Sequence, residues 1–348
     1  MSEQFRILLT KEISEAALET LERVGEVRLA SDMSEEVLIE ESKDVDAIVV
    51  GALGAETATV GRAEKSPSAL ITANIIVGAS RLKVIGHAAR PMPRGEVENV
   101  AIRAATRRGV IIVFVPQAYG YSIADHAIGL LLAAAKRIPQ THCALKLEGK
   151  WDLADEYIGT DVSFKTLGIL GFGRIGQLVA QRARAFEMPI LVFDPYVPQA
   201  RVDEMGAELV DLEVLLERSD FVSNHLPRVP STYHMIGERE FDLMKPEAFL
   251  ICTVGGGVVD DEALIAALST GRIAGAALDR FENEPLEPSS PLLKMENVIV
   301  TPKWAYRVKS LNPDRCVAED IVRVLTGQRP IHIANPDVLE VLSGQCRT

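Results

Sequence analysis

At 348 residues, 47% of them hydrophobic and 25% charged, the chain is long enough for about two globular domains with real cores. Its formal net charge of -12, with Asp and Glu spread along the length, repels phosphate backbones and anionic lipid, which argues against nucleic acid and membrane partners. The N-terminal MSEQFRILLT has no charged stretch leading into an apolar one, and the apolar run Ala127 to Ala135 ends at Lys136, short of a span, so a cytoplasmic protein is expected.

Along the chain, FRILL (Phe5 to Leu9), AIVV (Ala47 to Val50), LKVIG (Leu82 to Gly86) and VIIVFV (Val110 to Val115) are short apolar runs separated by helical patterns. A long helical pattern, SIADHAIGLLLAAAKRI, follows, with Ser122 as N-cap and Asp125 in its first turn. Six more strand-like runs come next: TLGILG, ILVFD, FVSNHL, FLICT, AGAALD and VIVTP. The last long helical pattern, NPDRCVAEDIVRVLTG, has Asn312 as cap, Pro313 in the first turn and Gly327 as stop. Continuous apolar strands alternating with amphipathic helices imply parallel sheets covered on both faces, hence an α/β fold class with two doubly wound parallel-sheet domains. The two long helices read as crossovers, giving a discontinuous first domain, residues 1–118 and 306–348, and a continuous second one, residues 119–305. Four cysteines (Cys143, Cys252, Cys316, Cys346) show no CxxC and no nearby histidine pair; buried free thiols are expected, and no metal site.

The second domain opens with the strongest motif, TLGILGFGRIG, in which Gly171, Gly173 and Gly176 form GxGxxG between a strand and a helix, with Phe172, Arg174 and Ile175 between them. The first glycine permits a tight turn, the second lets a pyrophosphate approach the backbone, and the third lets helix and strand pack. The amides of Arg174 and Ile175, at the helix start, are set to meet the phosphates. Asp194 closes the next strand, roughly 20 residues on, where an acid can bond the adenosine ribose hydroxyls. An aspartate there repels a 2′-phosphate, and the following Pro195 and Tyr196 bring no arginine to offset it, so NAD is expected over NADP.

The stretches ENVAIRAATRRGV, SIADHAIGLLLA, KTLGILGFGRIG, VDDEALIAALSTGRIAGAALDRFENEPL and NVIVTP, in that order, resemble the D-isomer-specific 2-hydroxyacid dehydrogenases over most of the chain. The resemblance implies a homodimer with a Rossmann-type NAD domain, a discontinuous flavodoxin-like catalytic domain and a small-molecule site in the cleft between them. It also implies a cofactor groove lined by His225, Leu226, Pro227, Thr232, Thr253, Val254, Gly255, Asp279, Lys303 and Ala305. Two residues of the family's chemistry are changed. Where members carry an arginine that clamps the substrate carboxylate, CTVGGG places Gly255, and where the catalytic histidine follows Thr-Pro, this chain has Lys303. The acid of that machinery is retained as Glu284.

Lys303 is therefore expected to act as acid/base, with Glu284 orienting it and Asp279 on the nicotinamide carboxamide side. The substrate loop HAARPMPRGEV is longer than the family's glycine-rich turn, and Gly51 to Pro67 also looks extended. Arg90 or Arg94 is the candidate to replace the lost clamp for an anionic substrate, with Arg307 and His87 as further substrate-binding candidates. His126 is assigned to packing. The expected activity is NAD-dependent hydride transfer on a small polar, anionic hydroxy or keto compound. The alternatives are an enzyme that uses tightly bound NAD for isomerisation, epimerisation or elimination, and a non-catalytic NAD-binding redox sensor.

Overall fold

The structure is a computed structural model that describes residues 4–50, 71–87, 96–114, 116–153, 156–306 and 313–344. It divides into two compact units, Met1–Ala118 with Lys309–Thr348, and Tyr119–Val308. Arg90, Arg94, Arg307, the loop from Gly51 to Pro67, Cys346 and the Asn312 cap lie outside the described residues.

The first unit is a parallel sheet of β1 (Phe5–Leu9), β2 (Gly25–Leu29), β3 (Ala47–Val50), β4 (Val84–His87) and β5 (Ile111–Phe114), in the order β2-β1-β3-β4-β5. Side chains alternate between its faces. Ile7, Val49, Val84 and Val113 share one core with Val317 and Ile321, while Leu8, Ile48, Ile85 and Ile112 share the other with Leu38, Ile75 and Ile76. Val317 and Ile321 belong to the helix Pro313–Leu325, so the chain's end returns to complete the first core, which is why this unit is discontinuous. Gly86 makes that return close: a Cβ there would come within 2.4 Å of Ile321. His87 ends β4, buried, with its ring edge-on to Phe114.

The second unit is a seven-stranded parallel sheet: β6 (Leu167–Leu170), β7 (Ile190–Phe193), β8 (Glu208–Leu209), β9 (Phe221–Asn224), β10 (Phe249–Cys252), β11 (Gly275–Leu278) and β12 (Val298–Val300). The order is β12-β11-β10-β9-β6-β7-β8, so strand order reverses between β6 and β9. Adjacent loops leave the sheet in opposite directions there and open a crevice at the carboxyl edge, the usual ligand position in such sheets.

Two expectations need correction, and two strands were not foreseen. The helix begins at Pro116, not after Ser122; Ser122 is buried inside Pro116–Ala135 and its hydroxyl donates to the Ala305 carbonyl at 2.5 Å. Pro suits a first helical position because its missing N–H would be unsatisfied there anyway. Of the described cysteines only Cys252 is buried; Cys143 is exposed and Cys316 intermediate, since each sits on a helix partly turned to solvent. Finally, β2 and β8 carry too few buried apolar residues to show as strands in the sequence.

Candidate active site

Six of the loops at the carboxyl edge of the second sheet frame the site, and the first is the glycine turn after β6. Gly171 has φ +88°, a left-handed conformation that glycine alone adopts at no steric cost. Gly176 packs against it so tightly that a Cβ would lie 2.2 Å from the Gly171 carbonyl oxygen. At Gly173, the residue that caps helix Arg174–Arg184, a Cβ would meet nothing within 4 Å. The turn thus leaves open space over a helix N-terminus where backbone N–H groups await an anion, and these residues fit a dinucleotide pyrophosphate. Arg174 is exposed, with its guanidinium over the Tyr121 ring, and Ile175 is half-buried. After β7, the Asp194 carboxylate accepts from Phe172 N at 2.8 Å and Tyr196 N at 2.9 Å, which ties the acid to the glycine turn. Pro195 and Tyr196 are exposed beside it.

The loops after β9 and β10 form the middle of the crevice. His225 Nε2 lies 2.9 Å from Ser223 Oγ, while its Nδ1 is sealed from solvent with no partner among the described residues. Loss of solvation pushes its pKa down to about 3, so the imidazole is neutral. Thr253 is buried, and its Oγ1 likewise has no partner among the described residues. Two orphaned polar atoms on adjacent loops are consistent with a group that binds there. Leu226 is buried, Pro227 is exposed, and Thr232 donates to the Pro227 carbonyl at 2.6 Å, so its hydroxyl holds the loop together. Val254 and Gly255 are half-buried. Gly255 has φ +64°, and a Cβ on it would stand 2.3 Å from the Leu226 carbonyl oxygen. No side chain fits this position on this backbone.

The loops after β11 and β12 hold the charged centre. Asp279 is fully buried and organises the segment from Thr301 to Ala305: it accepts from Thr301 Oγ1 at 2.5 Å, Trp304 N at 2.6 Å and Ala305 N at 3.0 Å. With the Thr301 hydroxyl proton committed to Asp279, His126 donates from Nε2 to Thr301 Oγ1 at 3.0 Å. His126 is thus part of a polar relay rather than apolar packing. Burial alone would push the Asp279 carboxyl up, but His126 Nε2 at 3.5 Å and the hydrogen bonds from Thr301, Trp304 and Ala305 outweigh that and hold it low. Among the described residues Asp279 spends its carboxylate on the Lys303 loop.

Lys303 itself has φ +57°, a conformation that costs a side chain-bearing residue about 1–3 kcal/mol and persists where the surroundings enforce it. The enforcement comes from Asp279, which pins the two amides that follow. From this backbone Lys303 Nζ reaches Glu284 Oε2 at 2.5 Å, and Arg280 Nε takes Glu284 Oε1 at 2.6 Å. One carboxylate therefore bridges two cations. Burial raises the Glu284 carboxyl, but the Lys303 hydrogen bond and the Arg280 charge more than offset this, so it stays ionised below the ordinary carboxylate range. The intervening Glu282 is fastened by Tyr233 Oη at 2.6 Å and His234 Nε2 at 2.9 Å, and its amide donates to Asp261, so the loop carrying both Arg280 and Glu284 is held at several points.

The second unit thus brings together Lys303, Glu284 and Asp279, and along one sheet edge the Gly171–Gly176 turn, Asp194 and the loops at His225 and Thr253. His87 belongs to the other unit. Sequence reading missed Arg280 and the His126–Thr301 relay. The signal for Arg280 was available, a cation four positions before the retained acid.

Residues 128–305 match the family described as "D-isomer specific 2-hydroxyacid dehydrogenase, NAD binding domain". The chain is 39% identical over 333 residues to a D-3-phosphoglycerate dehydrogenase of Methanocaldococcus jannaschii, covering 95% of this chain but only 59% of that protein. It is also 39% identical over 345 residues to a glyoxylate reductase of Korarchaeum cryptofilum, with 97% of each covered. The fold is similar to that of the apo D-mandelate dehydrogenase of Rhodotorula graminis, with a TM-score of 0.77 at 26% identity over 95% of this chain and 98% of that one. Among the described residues no helix is long and apolar enough to cross a membrane.

Proposed function

The chain belongs to the D-isomer-specific 2-hydroxyacid dehydrogenase family, and from this premise we propose that it is an oxidoreductase that interconverts a small anionic 2-hydroxy acid and its 2-keto acid, with NAD preferred over NADP and Lys303 in the acid/base role. Residues 119–305 hold the cofactor on this reading, and residues 1–118 with 306–348 form the substrate domain. A cytoplasmic homodimer acting on a free small molecule completes it.

The observation that carries the proposal is the Lys303–Glu284 pair at 2.5 Å on a loop whose strained backbone is clasped by buried Asp279. NAD, when bound, exchanges the hydride at its nicotinamide ring. The Gly171–Gly176 turn would hold its pyrophosphate and Asp194 its ribose. In the reducing direction a Lys303 Nζ–H gives its proton to the carbonyl oxygen as hydride reaches the carbonyl carbon, and the resulting amine is reprotonated from solvent. In the oxidising direction the neutral amine takes the hydroxyl proton. Glu284, ionised throughout, accepts a hydrogen bond from Nζ and fixes where the proton is presented. The neutral state of His225 supports keeping it out of proton transfer. Asp194, without a compensating arginine among Pro195 and Tyr196, supports the preference for NAD.

The test is turnover of NADH with glyoxylate and other 2-keto acids, and of NAD with D-3-phosphoglycerate and other 2-hydroxy acids, by wild type and Lys303→Ala. Loss of the acid/base group is expected to cost about 10²–10⁴-fold in kcat with NADH affinity unchanged. Turnover by Lys303→Ala at the wild-type rate refutes the assignment.

A further inference from the structure

The family's clamp for the substrate carboxylate has no place on this backbone, because Gly255 sits at φ +64° with the Leu226 carbonyl oxygen 2.3 Å from where a Cβ would be. We propose that Arg280 is the anion anchor of this protein, holding the substrate carboxylate through its Nη1 and Nη2 groups while its Nε stays on Glu284. This rests on the reading of the chain as a dehydrogenase of 2-hydroxy acids.

Four observations carry it. First, Arg280 follows Asp279 at the end of β11, the strand that pairs with β10, and β10 leads directly into Thr253 to Gly257. The two loops touch: a Cβ on Gly256 would lie 2.0 Å from the Phe281 carbonyl oxygen. Arg280 therefore emerges beside the segment that lacks the clamp. Second, among the described residues the guanidinium is held by one bond, Nε to Glu284 Oε1 at 2.6 Å, and neither Nη has a partner there. The edge formed by Nη1 and Nη2 presents two parallel N–H groups, which match the two oxygens of a carboxylate. The Arg280 side chain is 30% exposed, neither sealed in the interior nor fully solvated.

Third, Glu284 fixes Arg280 and Lys303 to its two oxygens, Nε at 2.6 Å and Nζ at 2.5 Å. The three groups together carry one net positive charge, which one substrate carboxylate neutralises. A 2-keto acid offers a carboxylate next to the carbonyl to be protonated, and here an anion-binding fork and a proton donor are yoked by a common acid. Fourth, the loop is fastened in advance by Tyr233, His234 and Asp261 through Glu282, so the guanidinium does not need to be ordered when the substrate arrives.

The test uses oxalate, which presents a carboxylate but no reducible carbonyl, titrated into the full-length protein with NADH bound and followed by NADH fluorescence. Arg280→Met is expected to weaken oxalate binding by about 30-fold or more while NADH affinity stays within about twofold. Arg280→Lys keeps the charge but loses the fork, and is expected to fall between the two. Methylguanidinium added to Arg280→Ala restores oxalate binding if the guanidinium itself is the ligand, an effect that a folding defect would not show. Oxalate bound equally tightly by wild type and Arg280→Met overturns the proposal, as does a wild type that binds no oxalate. If oxalate binding depends on Arg280 but no 2-hydroxy or 2-keto acid is turned over, the redox reading fails and the anchor stands.

Discussion

Replacing Gly255 by alanine adds one methyl group and, on the geometry of this loop, should be costly. The residue sits at φ +64°, which disfavours an L side chain by about 1–2 kcal/mol. The added Cβ would lie 2.3 Å from the Leu226 carbonyl oxygen and 3.0 Å from Val258 Cγ2. Neither neighbour can move easily: Leu226 is buried with its amide bonded to Asn224 Oδ1, and Val258 is wholly buried. Overpacking of this kind costs about 1–3 kcal/mol. The reduced freedom of the unfolded chain returns about 0.4–1 kcal/mol. A net loss of roughly 1–5 kcal/mol corresponds to a fall in Tm of about 2–18 °C for a unit of this size. The control is Gly173→Ala, whose φ of −67° is ordinary and whose Cβ would meet nothing within 4 Å. It should melt within about 2 °C of wild type without cofactor. Yet its methyl group would stand in the open space over the helix N-terminus and weaken NADH binding by tenfold or more, roughly 1.4 kcal/mol. Scanning calorimetry without cofactor and NADH titration of both variants separate the two effects. Gly255→Ala melting like wild type would show that the loop is not locked against side chains, and with it the reason for seeking the anion anchor elsewhere would fall.

Two further outcomes follow from the charges. Asp194→Ser should weaken NAD binding and bring NADP to within about tenfold of it, since removing the carboxylate removes its repulsion of a 2′-phosphate; competition titrations of the two cofactors check this. The lowered carboxyls of Asp279 and Glu284 stabilise the fold above their ordinary values of 3.8 and 4.5 and lose that contribution as pH falls through their lower folded values. The urea midpoint should therefore hold between about pH 7 and 5 and fall below that, with a shallower fall in the Asp279→Asn, Glu284→Gln double variant.

The parallel sheets were legible because their strands are buried on both faces and read as continuous apolar runs, as in Ile190–Phe193 or Phe249–Cys252. The edge strand Gly25–Leu29 was not, since only Gly25 is fully buried in it. Ser122 resembled a helix cap because serine favours that position, but a tertiary bond to the Ala305 carbonyl claimed its hydroxyl instead. The glycine turn, Asp194, Glu284 and Lys303 were visible as residue types at fixed intervals. What Gly255 means was not, because a missing arginine is a fact of sequence while the excluded Cβ is a fact of backbone. Arg280 was legible as a cation four positions before the retained acid, but its bond to Glu284 arises from the fold of the loop and is not written in that spacing.

The substitutions around Lys303 hang together energetically in a way that loss of function does not require. Holding Lys303 at φ +57° costs about 1–3 kcal/mol, and burying Asp279 beneath it adds a desolvation cost that the three hydrogen bonds it accepts must offset. A site released from chemistry could lower both costs at once with a glycine at the strained position and an apolar residue at the buried one. This chain instead keeps the strained lysine, the buried aspartate that enforces it, and a partly buried glutamate bridged to two cations. Strain and buried charge that serve no packing purpose accumulate where geometry is selected for its chemistry. The same reasoning explains the pairing of loss and gain. Once the Gly255 loop adopts a backbone that admits no side chain, the proposed anionic substrate would need its cation from a neighbouring loop, and the β11 loop carries one bonded to the same carboxylate as Lys303.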